Sequence, residues 1–395
     1  MSLIKIFKRN EKGSITLMVL AAMIFVLVVI TASYFAISNK SGNQDKKISK
    51  IAQQYRASDE DMEQEYQKVV SNLKVEDYVK VGDYVDYNPT IATKDGQSVD
   101  ANKLKYTSPT GTAIEHGNGY TSAEEGGGQT FTAKANDGTD TGLKWRVLSV
   151  SDDKVELMSE KVVQTDANTN FILQGGIGYL YAEQELNEIC KIYGYGYGAD
   201  TTKGGTYTTG GPIDTPTTKK IEGTGARSIT IEDINKKAGI YEDKADGKMK
   251  DSAGTVVDSS YGTTTNPTSD VFYPTVNGNS TTGMSTSPGV KSLKYTYYYY
   301  YNNSKIENPD IQQLINEEYW LASRCVKTDS GNAYFCVRAV GDNYTWVRNF
   351  CRTYSSYWND YDGTVGCGVR PVVTLKSDII DLSKNYDDET GWSLK

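Results

Sequence analysis

Residues able to carry chemistry are few and unevenly spread along the 395-residue chain. It has a single histidine, His116, so Ser-His-Asp or Cys-His catalysis and multi-histidine metal sites have no place elsewhere in the chain. The five cysteines are Cys190, Cys325, Cys336, Cys351 and Cys367, and no two of them have the C-x2-C spacing of a zinc site. Disulfides in an oxidising compartment and buried thiols both remain open, since any four cysteines allow three pairings and one is left over. Gly194 to Ala199 spells G-x-G-x-x-A, but it follows a helical pattern and opens a Thr/Gly-rich stretch. A dinucleotide fingerprint instead follows a strand and opens a helix. Asp166 to Asn170 begins like a calcium loop and lacks the later Gly and Glu. The acidic pairs Asp360/Asp362 and Glu317/Glu318 read as solvated charge in an acidic chain. Arg324 and Arg338 are suited to partly buried ion pairs, although either could clamp a carboxylate. No catalytic residue, metal or cofactor is expected.

The positive signal lies in the aromatics. The chain has 30 tyrosines, concentrated at Tyr295–Tyr301 and in residues 342–362 (DNYTWVRNFCRTYSSYWNDYD). A loop of Tyr, Trp, Ser, Asn and Asp has the makeup of a recognition surface: rigid amphipathic rings supply area at low entropy cost, and small polar residues adapt their hydrogen bonds. The ligand-binding candidates are Asn343, Tyr344, Trp346, Asn349, Tyr354, Tyr357, Trp358, Asn359, Asp360 and Tyr361. Edge strands also favour tyrosine, which leaves a structural reading of the same residues open.

Such a segment needs a scaffold and a compartment. Hydrophobic residues are 38% of the chain, and its 37 glycines bring the apolar share to about 47%, enough for a sizeable core. The net charge is −8; residues 1–13 carry +3 and the rest therefore −11, which argues against a nucleic-acid partner. No charge falls between Lys12 and Lys40, and the apolar run 15–37 exceeds the ~20 residues needed to span a bilayer. The basic flank places residues 1–12 in the cytoplasm and the acidic remainder outside. From Asp45 to Leu73 apolar residues recur every seven positions (Ile48, Tyr55, Met62, Val69), which predicts a helix, either a stalk or an amphipathic helix lying on its own domain. Val75–Tyr87 alternates as a strand does, 143–150 and 154–158 form a hairpin, and Tyr181–Ile192 is a short helix. A second helix starts near Ser228, after a hydroxyl cap and before acidic residues. Strands follow at Tyr319–Ser323, Ala333–Val340 and Val369–Leu375, whereas 199–226 and 246–290 read as loop insertions.

Two resemblances rest on these residues. Lys12-Gly13-Ser14-Ile15-Thr16-Leu17, a small residue at the cytoplasmic edge of an apolar helix, resembles the leader of type IV pilin-like proteins. That resemblance implies cleavage between Gly13 and Ser14 and packing with other pilin subunits in a filament. Met18 stands where major pilins carry Glu, a departure pointing to a minor or tip subunit or to an uncut anchor. Val81–Val85, Trp145–Leu148, Arg227–Thr230, Tyr319–Arg324 and Gly368–Lys376 look like an uncharacterised bacterial exported domain family. The end of that domain is similar to the formylglycine-generating-enzyme and C-type-lectin-like fold. Within it Trp320, Arg370 and Pro371 are expected to close the core and brace the last strand. An enzyme of that fold would need a reactive cysteine pair, nominally Cys336 and Cys351. An aromatic segment just before the last strand resembles the lectin-like proteins diversified by retroelements. The expected fold class is α+β: a long N-terminal helix, transmembrane plus stalk, then an irregular C-type-lectin-like α+β domain with long loops. Its divisions are a leader (1–13), a transmembrane or filament-core helix (14–38), a stalk helix (39–74), the exported domain (75–380) and a tail (381–395). The function implied is a cell-surface adhesin binding an extracellular protein or glycan, with an envelope enzyme or a purely structural filament subunit as alternatives.

Overall fold

The computed structural model describes residues 74–258 and 314–395, apart from short stretches at 109–113, 116–120, 123–127, 136–142, 174, 210–216, 240, 244, 246–248, 251, 315–316, 330–331, 342–343, 355–356, 361–364 and 385. Gly13, Ser14, the apolar run 15–37, the stalk through residue 73 and Tyr295–Tyr301 lie outside the described residues.

Within them strand dominates, and only two helices exceed a single turn: α1 (Gly175–Lys191) and α2 (Ile231–Lys237). This corrects the expected α+β class with its long N-terminal helix. Among the described residues no helix is long and apolar enough to cross a membrane. The alternating stretch Val75–Tyr87 also departs from expectation, because Val75–Tyr78 is one helical turn and only Tyr84–Val85 pairs as a strand. The Asp83 carboxylate accepts from the Lys80 amide at 2.9 Å and the Lys80 carbonyl from the Asp83 amide at 3.0 Å, a turn that interrupts the strand pattern.

The principal strands, in chain order, are β1 (Tyr84–Val85), β2 (Trp145–Ser151), β3 (Lys154–Ser159), β4 (Phe171–Leu173), β5 (Ala226–Ser228), β6 (Tyr319–Asp329), β7 (Asn332–Gly341), β8 (Tyr344–Tyr354), β9 (Tyr357–Asp360), β10 (Val365–Cys367) and β11 (Pro371–Lys376). One sheet is antiparallel in the order β1-β2-β3-β11-β5, and a second runs β6-β7-β8-β9. Strand β10 pairs with β4. Part of the expected insertion 199–226 is a small hairpin, Thr206–Thr209 with Thr217–Lys220.

Strands β3 and β11, and residues 319–322 and 337–340 of the second sheet, are apolar on both faces and so do not read as simple in/out alternation. Val155, Leu157, Val373 and Leu375 join Ala182, Leu186, Ile189 and Cys190 of α1 in one cluster, with Trp320, Ala322, Val337 and Ala339 of the second sheet. Met158 and Val372 point the other way, into a cluster with Ile231 and Ile234 of α2 and Tyr319, Leu321 and Val340. Being covered on both sides is why Pro371-Val372-Val373-Thr374-Leu375 is a continuous buried run. Helix α2 begins where a capping box dictates: the Asp233 carboxylate accepts from the Thr230 amide at 2.8 Å, three residues back.

The two sheets are tied together around β10. Gly368 accepts from the Trp320 amide at 3.0 Å and donates to the Glu318 carbonyl at 3.2 Å, while Val369 exchanges both backbone bonds with Val163. A Cβ at Gly368 would sit 2.5 Å from the Val162 side chain, so only glycine allows this approach. Residues 381–395, read from sequence as a tail, pack onto the first sheet. The Trp392 amide donates to the Tyr84 carbonyl at 2.8 Å, its indole donates to Asp83 at 2.9 Å, and its ring is 7% exposed.

Candidate functional site

The aromatic segment is a strand pair rather than a loop. Tyr344, Trp346, Asn349 and Tyr354 lie on β8, and Tyr357, Trp358, Asn359 and Asp360 on β9; Asn343 and Tyr361 fall outside the described residues. The physical reason is composition. Tyr, Trp, Thr, Val and Phe suit a pleated surface as well as a binding loop, and only Ser355-Ser356 separates the two aromatic runs, the spacing of a tight hairpin.

Register sorts the expected site into two groups. At the hairpin end Tyr354 lies opposite Tyr357, Thr353 opposite Trp358 and Arg352 opposite Asp360. At the other end Tyr344 lies opposite Gly341 and Trp346 opposite Ala339 of β7. Thr353 is seven residue steps along β8 from Trp346, about 23 Å at ~3.3 Å per residue, so one small ligand does not bridge both groups. Asn349 lies between them, opposite Cys336, beside a register shift at Phe335/Cys336. A second shift at Arg352/Thr353 breaks the β8–β9 ladder. Bulges strengthen local twist and re-aim side chains, and they concentrate at sheet edges and next to functional sites. Strand β9 has four residues and ends the sheet order, so its far side has no strand partner among the described residues.

Comparison with family models, curated proteins and solved structures finds no match to this chain. The reading of the site therefore rests on its own chemistry.

The other singled-out residues have structural roles. Trp320 is fully buried and its indole donates to the Phe171 carbonyl at 2.8 Å. The Arg370 guanidinium donates to the carbonyls of Ser159 at 3.0 Å, Glu160 at 2.7 Å and Leu314 at 3.4 Å, and lies 5.3 Å from the Tyr319 ring centre. It laces β3 to the start of β11. Arg324 has the ion pair expected of it, with Glu183 of α1 at 3.4 Å. Glu317 accepts from the Val162 amide at 2.7 Å. The Asp166–Asn170 stretch is a closed turn, in which the Thr165 amide donates to the Thr169 carbonyl at 2.9 Å and Thr132 donates to Asp166 at 2.8 Å. Gly194–Ala199 wraps the end of α1, and the Gly196 amide donates to the Tyr87 hydroxyl at 3.0 Å. Among the described residues no group of three His, Cys, Asp or Glu side chains could hold a metal ion.

Arg338 differs from all of these. It is 1% exposed on β7, and neither Nη1 nor Nη2 has a hydrogen-bond partner among the described residues, where the expected ion pair is not seen. Alternation along β7 puts it on the face of Val340, over the α2 cluster, and its register partner is Val347, next to Trp346. Sequence points to an arginine inside an apolar strand, Val337-Arg338-Ala339-Val340, but not to the absence of a hydrogen-bond partner among the described residues.

Proposed function

We propose that this chain is a membrane-anchored cell-surface recognition protein that presents the β8–β9 hairpin to an extracellular protein or glycan. The apolar run 15–37 serves as the anchor, with residues 1–12 in the cytoplasm and the acidic remainder outside. Leader cleavage between Gly13 and Ser14 then makes it a minor or tip subunit of a pilus-like filament.

The observation carrying the reading is the cross-strand pairing of Tyr354 with Tyr357 and of Thr353 with Trp358 at the edge of a sheet. Paired aromatics on a rigid hairpin supply contact area whose ordering cost is met by folding rather than by binding.

The test is the full chain in detergent micelles carrying Tyr344→Ala, Trp346→Ala, Tyr357→Ala and Trp358→Ala together. Surfaces probed are a glycan array, immobilised extracellular-matrix proteins and whole cells. At least tenfold weaker binding with an unchanged thermal midpoint is expected, and undiminished binding contradicts the reading. In protein recovered from native cells, Ser14 at the N-terminus supports the filament role and an intact Met1 contradicts it.

A further inference from the structure

We propose that Cys325 and Cys336 form a disulfide that staples the β6–β7 hairpin. The two cysteines are direct register partners, in an unbroken ladder that also pairs Arg324 with Val337, Val326 with Phe335 and Lys327 with Tyr334. Directly opposed residues of an antiparallel pair have Cα atoms about 4.5 or 5.5 Å apart, according to whether the pair is hydrogen-bonded. A disulfide needs roughly 4.4–6.8 Å, so either case fits without moving the backbone.

The same register gives the nominal reactive pair Cys336 and Cys351 no direct pairing: Cys351 lies opposite Phe335, and Cys336 lies opposite Asn349. Cys190 is a buried thiol on α1, where burial pushes its pKa far above the ordinary range and leaves little thiolate to attack a disulfide. Cys367 is buried on β10, with its Sγ 3.6 Å from Glu318 Oε1. One bridge, the two buried thiols and Cys351 make up the odd cysteine count. Its consequence is mechanical: the bridge closes the outer part of the hairpin, and Cys336 is the residue opposite Asn349 on β8, so the staple backs the recognition strand.

Formation in the native cell rests on the exported placement proposed above, since cytosolic thiols stay reduced. The oxidant is a small disulfide such as glutathione disulfide. One cysteine thiolate attacks it and releases a glutathione thiolate. The second cysteine then displaces the other glutathione, giving one protein disulfide and two glutathione thiols.

The test incubates reduced full-length chain in detergent with glutathione and glutathione disulfide, alkylates remaining thiols and maps tryptic peptides without reduction. A linked pair of peptides, 325–327 with 328–338, is expected, with peptide 349–352 alkylated at Cys351. Cys325→Ser or Cys336→Ser abolishes the linked species, and Cys351→Ser leaves it. Alkylation of both Cys325 and Cys336, or a Cys336–Cys351 link, overturns the proposal. Acid-quenched native cells separate the two ideas: the bridge formed in glutathione buffer but reduced in cells contradicts export alone, and the bridge in both supports the two together.

Discussion

At the level of single side chains, two groups respond to their surroundings in opposite ways. Burial alone would raise the Glu156 carboxyl, but the Arg227 guanidinium at 3.2 Å, the Ser149 hydroxyl at 2.6 Å and Lys154 bring its pKa down to about 2. A carboxyl depressed on folding contributes stability in full above its unfolded pKa, near 4.5, and loses it as the pH falls toward 2. That contribution is roughly 3 kcal/mol. Thermal midpoints measured from pH 7 to pH 2 for the native chain and Glu156→Gln are expected to differ by a constant amount down to about pH 4.5 and then to converge. Arg338 has the reverse sign. A buried charge with no hydrogen-bond partner among the described residues costs more than an apolar side chain of similar volume, so Arg338→Met is expected to raise stability by about 1–4 kcal/mol. Chemical denaturation measures it, and a destabilised variant would show that the guanidinium has an anion after all. Sequence legibly marked Trp320, Arg324 and Arg370 as structural, because aromatic and arginine residues within apolar strands must find partners. It could not separate Arg338 from Arg324, since the difference lies in a carboxylate, Glu183, 141 residues away from one of them.

Among the elements, what was readable follows how local the signal is. The β2–β3 hairpin and α2 were legible because a short polar turn and a capping box act within a few residues. Helix α1 was half-seen, since Gly175-Gly176 and Gly178 weaken helix propensity at its start and packing against both sheets extends it. The aromatic segment 342–362 could not be assigned from composition. Its partner is β7, and pairing is a long-range choice to which local preference is blind. The closing residues read as a tail for a related reason, since the partners of Trp392 are on and beside β1, some 300 positions earlier. Gly391 adopts φ +81°, and a Cβ there would lie 2.4 Å from the Tyr84 backbone. Gly391→Ala is therefore expected to cost more than about 1 kcal/mol. Its thermal midpoint measures this, and an unchanged value would mean that the segment does not hold the sheet edge.

For the whole molecule, the proposed role couples a strand-built domain to a location. The domain stands on cores shared by both sheets, and the hairpin proposed for recognition extends the second of them through β7 rather than forming a free loop. The proposed location rests on charge and hydropathy: a basic start, an apolar run and an acidic remainder. Everything proposed for the hairpin requires that remainder to lie outside the cell. Protease added to intact cells, with lysed cells as the reference, tests this most directly. The account predicts that the region beyond residue 74 is digested in intact and lysed cells alike. Full-length chain surviving in intact cells but not in lysate would contradict it.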